Sequence, residues 1–298
     1  MDTTRPVVIL NNGVEMPVIG FGVFQIPPEQ TADAVRNALA CGYRLIDTAA
    51  SYNNERQVGE GIRSSGMGRE EVFVQTKLWI SDYGYDSALH AFDRSLRKLG
   101  LDYVDLYLLH WPVPSDFAAT VASYRAVEKL LVDGLVRAIG VCNFSPSHLE
   151  RLLAEVNTPP AVNQVELHPY FTQRDLREFN AAHGIVTQSW SPICGVYRYF
   201  PTDPQKVKNC LEEPVIVDLA AKYAKTSAQV VLRWHLEHGL CPIPKSARPE
   251  RIAENIDVFD FELTAEEVAA IDALDTGVRG GPDPKLVDTR MFPRRIED

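Results

Sequence analysis

The stretch Arg44-Leu45-Ile46-Asp47-Thr48-Ala49-Ala50-Ser51-Tyr52-Asn53-Asn54-Glu55 decides the reading of this chain. Arg44 to Thr48 reads as a short buried strand, followed by a loop and then a helix from about Asn54. The strand delivers Asp47 at its C-terminal end and the loop presents Tyr52. A carboxylate and a phenol held close together point to proton transfer. Working outward, the same unit recurs. Short apolar runs end at Phe24, Asp47, Lys77, His110, Asn143, Gln164, Trp190 and Lys245, with helical patterns between them. Thr31 to Ala40 stops at Gly42, Asp86 to Leu99 stops at Gly100, and Gln173 to Ala182 stops near Gly184. Ser145-Pro146 opens a helix over Ser147 to Val156. Thr226 with Gln229 and Thr264 with Glu267 each form a capping box, the second with Leu263 and Val268 as a staple.

Strands alternating with helices give either a doubly wound sheet or a closed (β/α)₈ barrel. Eight units within 298 residues, with no linker or composition break, favour the barrel, a fold of typically ~250 residues. Val7 to Leu10 and Met16 to Ile19 flank Asn11-Asn12-Gly13, a hairpin expected to be a lid or plug ahead of the main fold. Two longer connections, 191–213 and 275–298, carry aromatic and basic residues: Tyr197, Arg198, Tyr199 and Phe200 in one, Arg290, Met291 and Phe292 in the other. Loops of this length are usually functional or mobile.

Composition narrows the function. The formal net charge of −10 argues against general nucleic-acid binding, which needs a basic face. No apolar run reaches the ~18 residues of a membrane helix, and Met1 to Asn12 lacks the pattern of a signal peptide. Five widely spaced cysteines without a C-x-x-C read as reduced thiols in a cytoplasmic protein, not as disulfides or a zinc site. Asn143-Phe144-Ser145 is then a chance glycosylation match. There is no G-x-G-x-x-G after a strand, no P-loop, no H-E-x-x-H and no G-x-S-x-G. Gly59-Glu60-Gly61 lies inside a helical pattern, and His235 and His238 read as surface residues without a third ligand; no metal is expected.

Polar residues at strand ends converge on one rim of a barrel, where barrel enzymes place their sites. The bland reading is that strands end where polarity begins. The set of types resists it: an ammonium at Lys77 lowers the pKa of the Tyr52 phenol, Asp47 supplies the counterion, and His110 orients a carbonyl oxygen. At the other end Lys245, Ser246, Arg248 and Arg251 cluster at a helix N-terminus, a place that favours a phosphate dianion.

Asp-Thr-Ala-Ala-Ser-Tyr with Asn-Glu at 47–55, Thr-Lys-Leu-Trp at 76–79, Leu-Leu-His-Trp-Pro at 108–112, Gly-Val-Cys-Asn-Phe at 140–144, Asn-Gln-Val-Glu at 163–166 and Ile-Pro-Lys-Ser at 243–246 together resemble the aldo-keto reductases. Trp190-Ser191-Pro192 and the loop after it resemble the bacterial 2,5-diketo-gluconate reductase and prostaglandin F synthase-like branch. The resemblance implies one α/β domain over residues 1–298, a (β/α)₈ TIM barrel with an N-terminal β-hairpin and two extra helices. It implies NADPH-dependent reduction of aldehyde and ketone carbonyls by a monomer that binds neither nucleic acid nor membrane. Small aldehydes, α-dicarbonyls and keto sugars are the expected substrates.

By position, Asp47, Tyr52, Lys77 and His110 match the catalytic tetrad, with Tyr52 as general acid. Asn143 and Gln164 match the holders of the nicotinamide carboxamide, and Trp190 the aromatic under its ring. Ser191, Pro192 and Ile193 match the pyrophosphate loop, and Gly22, Val23 and Asp47 are further cofactor contacts. Lys245, Ser246, Arg248 and Arg251 match the 2′-phosphate clamp, with Glu254 and Asn255 at the adenine. Phe24, Trp79, His110 and Trp111 match the substrate walls. Three residues depart from the pattern: Cys142 stands in place of serine, Cys194 in place of leucine and Asn53 in place of glycine. Residues 195–213 follow no family pattern. Two rivals stay open: an NADPH-binding redox sensor or channel-type subunit with negligible turnover, and a metal-free barrel lyase or isomerase using Lys77 as a Schiff-base amine.

Overall fold

The computed structural model describes residues 6–199 and 209–297. Strands β1 (Val7–Ile9) and β2 (Glu15–Pro17) pair as an antiparallel hairpin. The barrel follows with β3 (Phe21–Gly22), β4 (Leu45–Asp47), β5 (Phe73–Leu78), β6 (Val104–Leu109), β7 (Val136–Cys142), β8 (Val162–Glu166), β9 (Val186–Trp190) and β10 (Cys241–Ile243). These eight strands are parallel and lie side by side in chain order. Gly20 N–H and Gly22 N–H donate to Pro242 O and Pro244 O, both at 3.0 Å, and close the cylinder. Gly22 is required at that seam: a Cβ there would lie 2.9 Å from Ile243 Cγ2.

The two-residue period of a strand sorts side chains into two cores. In β5, Val74 and Leu78 face outward to the helices, and Thr76 donates to Glu55 Oε1 at 2.7 Å. Gln75 and Lys77 face the barrel axis, where both reach Asp47. The inner apolar core holds Leu45, Phe73, Leu106, Leu108 and Val162, and the hairpin's Leu10 and Met16 pack onto it. The hairpin is therefore a plug at the end of the barrel opposite the polar rim. Asn12 Nδ2 fixes it by donating to Arg137 O at 2.9 Å.

The helices are α1 (Pro28–Ala40), α2 (Glu55–Ser64), α3 (Tyr85–Leu99), α4 (Phe117–Val132), α5 (Pro146–Leu153), α6 (Arg174–Ala182), α7 (Val196–Tyr199), α8 (Pro214–Tyr223), α9 (Ser227–Glu237), α10 (Pro249–Ile256) and α11 (Ala265–Asp272). Both capping boxes form, at Thr226/Gln229 and Thr264/Glu267. The two extra helices are α8 and α11, joined by Lys222 and Tyr223 donating to Glu267 at 2.5 and 2.7 Å; α7 is a single added turn. All five cysteines are free.

Several sequence expectations move. Helix α5 ends at Leu153, three residues before Val156, because Glu128 Oε1 captures the Asn157 and Thr158 N–H groups at 2.8 and 2.6 Å. Helix α4 carried no clear sequence signal: Phe117, Val121, Tyr124, Val127 and Leu130 are interleaved with buried Thr120, Ser123 and Glu128, which blurs its stripe. Strand β3 stops at Gly22 rather than Phe24, and β10 stops two residues before Lys245. Strand β8 runs past Gln164 to Glu166, so Gln164 sits inside the barrel rather than at its lip. His235 is fully buried, bonded to Val231 O and Leu167 O, so its surface reading fails, while His238 is partly exposed and pairs with Asp272. Phe200 of the long connection lies outside the described residues.

Candidate active site

Each tetrad residue is delivered by a different element. Asp47 ends β4, Lys77 projects inward from β5, His110 follows β6, and Tyr52 closes a 3₁₀ turn over Ala50–Tyr52. That turn is anchored by the buried Asn54, which accepts from Thr48 Oγ1 at 3.0 Å and donates to Val23 O at 3.0 Å. Asn53 takes φ 58°, a left-handed conformation that asparagine tolerates. The fully buried Lys77 Nζ donates to Asp47 Oδ1 at 2.5 Å, Thr48 O at 2.9 Å and Tyr52 OH at 3.3 Å, using all three of its protons. The Tyr52 and His110 rings meet edge-on with centroids 5.8 Å apart.

The electrostatics correct one expectation. Burial pushes the Tyr52 phenol up, and this outweighs the downward pull of Lys77; Asp47 and Cys142 add to the rise. Tyr52 is thus a firmly protonated phenol, not an acidified one. Burial pulls the Lys77 ammonium down, but Asp47, Tyr52 and Cys142 more than offset this, and the net shift is upward. Lys77 is a fixed cation, which removes the Schiff-base reading, since an ammonium has no lone pair. Burial, then Lys77, holds His110 well below the usual histidine range, so it is neutral and donates from a single ring nitrogen.

A cleft of about 920 Å³ opens above this group. Asn143, Gln164 and Trp190 form one flank, and the Trp190 indole N–H donates to Asn143 Oδ1 at 2.8 Å. Asn143 Nδ2 in turn donates to His110 O at 3.0 Å. Ser191, Pro192 and Ile193 continue the wall. Ser191 and Cys194 take φ 54° and 61°, and Ser191 Oγ accepts from Val196 N–H at 2.6 Å, which folds this loop tightly.

Gly22, Lys245, Ser246, Arg248 and Arg251 line the far end. Among the described residues, the side chains of Lys245, Arg248 and Arg251 make no ion pair or hydrogen bond. Burial lowers the Lys245 pKa. Three cations without protein partners beside a helix start fit a phosphate, and Gly22 leaves the seam open to a close backbone approach. Val23 lies buried behind this wall with its N–H on Asp47 O. Glu254 and Asn255 sit on α10 outside the cleft lining, and Cys142 belongs to the inner core rather than to the cleft.

Phe24, Trp79, Trp111 and Phe292 wall the remaining side. The C-terminal tail closes it: Trp79 Nε1 donates to Arg294 O at 3.0 Å, and the Phe292 ring sits 5.7 and 5.8 Å from the Trp79 and Trp111 rings. A second clasp holds the tail upstream, where the buried Glu166 accepts from Gly280 and Gly281 N–H at 2.6 and 2.9 Å. The sequence had flagged the tail but not these contacts. It also passed over Gln75 and Gln188, although Gln75 shares the inward face of β5 with Lys77 by simple alternation.

The aldo/keto reductase family model matches residues 18–276. Morphine 6-dehydrogenase of Pseudomonas putida is 57% identical over 96% of this chain and 97% of its own length. Methylglyoxal reductase DkgA of Escherichia coli is 47% identical over 94% of this chain and 98% of its own. An aldo-keto reductase of Bombyx mori, solved in complex with NADP, superposes with a TM-score of 0.86 at 37% identity, covering 94% of this chain and 95% of that one. Matched over most of its length by sequence and by fold, and carrying the converged tetrad, the chain belongs to the aldo/keto reductase family.

Proposed function

We propose that Tyr52 is the general acid of carbonyl reduction in this protein, with Lys77 and Asp47 fixing its position and His110 orienting the substrate oxygen. The chain is an NADPH-dependent oxidoreductase that reduces carbonyls to alcohols. When bound, NADPH supplies the hydride that reduces the carbonyl carbon. The protein's residues handle the rest. A carbonyl oxygen placed between Tyr52 OH and His110 gains charge as the carbon is reduced, and an alkoxide is a stronger base than a phenolate even when burial raises the phenol. The Tyr52 proton therefore moves downhill to the new alcohol, and the Lys77 ammonium 3.3 Å away stabilises the phenolate left behind. The observation that carries this reading is the unbroken line Asp47–Lys77–Tyr52 opening into the cleft. Lys245, Ser246, Arg248 and Arg251 would hold the 2′-phosphate, with Asn143, Gln164 and Trp190 around the nicotinamide.

The experiment is Tyr52→Phe: reductase activity falls by several orders of magnitude while NADPH still binds. Turnover within tenfold of the parent, about 1.4 kcal/mol in barrier, removes Tyr52 from the role.

Small aldehydes and α-dicarbonyls suit the His110–Tyr52 end, and the methylglyoxal reductase relative supports that class. The aromatic wall of Trp79, Trp111 and Phe292 supports a second, bulkier class of cyclic ketones, for which the morphine 6-dehydrogenase relative is the precedent. Comparing kcat/KM for the two classes in the parent and in Phe292→Ala ranks them. The free thiols, the acidic charge and the single continuous eight-stranded sheet support a one-domain, monomeric cytoplasmic protein that ignores nucleic acid, which light scattering and fractionation test.

A further inference from the structure

Beneath the tetrad the barrel contains a closed ring of amides that the mechanism above does not use. Gln75 Nε2 donates to Asp47 Oδ1 at 2.6 Å and to Gln188 Oε1 at 2.9 Å. Gln164 Nε2 does the same, to Asp47 Oδ1 at 3.0 Å and to Gln188 Oε1 at 2.8 Å. Each NH₂ group thus divides its two protons between the same two acceptors. Gln188 Nε2 completes the ring on Gln75 Oε1 at 3.1 Å and reaches Cys241 Sγ at 3.7 Å. Gln75 and Gln188 are fully buried and stand on β5 and β9, on opposite sides of the barrel.

The directions of these bonds are forced. A carboxylate paired with the Lys77 ammonium offers only lone pairs, so both amides must turn their NH₂ groups toward Asp47. An amide that turns its NH₂ one way turns its oxygen the other. Gln164 has spent both of its N–H groups inside the barrel, and its Oε1 has no protein partner among the described residues. It is left as an acceptor for the cleft that Gln164 lines. Only Gln188 Oε1 receives the second proton of both amides. Without it each NH₂ group is held at Asp47 alone, one contact in place of two, and can swing about that contact, which weakens its bond to Asp47 and unsettles the acceptor that Gln164 shows to the cleft.

We infer that Gln188, which does not line the cleft, is a positioning residue for the reaction: its carboxamide holds Gln75 and Gln164 so that both donate to Asp47 and Gln164 shows an oxygen to the cofactor site. This inference rests on the proposed role of Tyr52, since Asp47 acts on the substrate only through Lys77 and the phenol.

The test uses the full chain with NADPH and a series of para-substituted benzaldehydes, read as single-turnover rates so that product release does not mask the chemistry. Gln188→Met keeps the length and removes every polar atom. With 4-methoxybenzaldehyde, whose product alkoxide is the stronger base, the rate falls by about tenfold or more, the lower end for a weakened general acid. With 4-nitrobenzaldehyde, which depends less on the proton, the loss is smaller. NADPH affinity, read by quenching of protein fluorescence and dominated by the phosphate end, stays within about threefold. Gln188→Glu retains the Oε1 acceptor in the same shape. Burial beside Asp47 raises the pKa of this carboxyl, so its neutral form restores the rate at about pH 6, and the rescue is lost at higher pH as the group ionises, because a carboxylate cannot donate to Gln75 Oε1 and repels Asp47. A uniform loss across the aldehydes, or a parental rate in Gln188→Met, overturns the inference. If Gln188→Met does not fold, Gln188→Glu alone decides, and a pH profile like the parent's overturns it. A parent chain that reduces no aldehyde sinks the functional reading instead, so the two failures are distinguishable.

Discussion

The two ends of the cleft are built on opposite principles. At the catalytic end every charge already has its partner: Lys77 spends three protons on Asp47, Thr48 and Tyr52, and Asp47 also accepts from Gln75 and Gln164. At the phosphate end Lys245, Arg248 and Arg251 have no partner among the described residues. The first arrangement is completed by folding, and the second waits for a ligand. The contrast follows from burial. A buried ammonium without a counterion costs several kcal/mol, so the barrel interior must satisfy its own charges, whereas cations at the rim can remain hydrated without a partner.

The sharpest way to break this contrast is to damage both ends and compare. After Tyr52→Phe, the largest effect belongs to Lys77→Met. It strands the Asp47 carboxylate, costs about 3–5 kcal/mol of stability, and removes the stabiliser of the phenolate; urea unfolding and turnover should fall together. An unchanged midpoint would mean that the pair is not held by the fold. Arg251→Ala should do the reverse: stability stays put, and the NADPH Kd rises by about tenfold or more, as for loss of a charge-assisted bond, while the NADH Kd barely moves. Equal weakening of both cofactors would take Arg251 off the phosphate. Salt then sharpens the difference. NADPH affinity should decline between low and physiological ionic strength, because the exposed cations are screened over ~8–10 Å, and the kcat at saturating cofactor should not.

The smallest effect is in stability against pH. Burial holds His110 well below its ordinary range, and His148 and His235 are depressed to about 4, each with burial as the leading cause. Their unfolded forms take up protons first, so the stability they contribute is complete above about pH 6.5 and is lost as the pH falls toward the depressed values. His168 runs the other way. Burial lowers it, but Cys194 and Glu166 outweigh burial and raise it to about 9. Its contribution is complete below about pH 6.5 and fades as the pH climbs through that raised value. A thermal melt series should therefore fall more steeply on the acid side than on the alkaline side, and a symmetric curve would contradict the opposed histidines.

Much of this was legible in the linear chain. Residues 44–55 showed the strand, the turn and the helix, and the capping boxes at Thr226 and Thr264 placed two helix starts correctly, because caps and short apolar runs are local signals. Helix α4 was missed because buried polar residues interrupt its stripe, and His235 was misread because a pair of histidines on a helix says nothing about which face is covered.

The sequence alone determined the alternation of strands and helices and the types of residue at the strand ends, and hence the barrel, its polar rim and the four residues proposed as the tetrad. The tertiary structure decided what those residues are worth. It made Tyr52 a firmly held phenol rather than an acidified one, because desolvation is a sum over everything packed around a side chain. It joined Gln75 to Gln188, 113 positions apart, because closing a cylinder brings opposite strands across its axis. It also laid Phe292 over Trp79 and Trp111, since how a tail returns to a rim is set by surfaces that exist only once the barrel has formed.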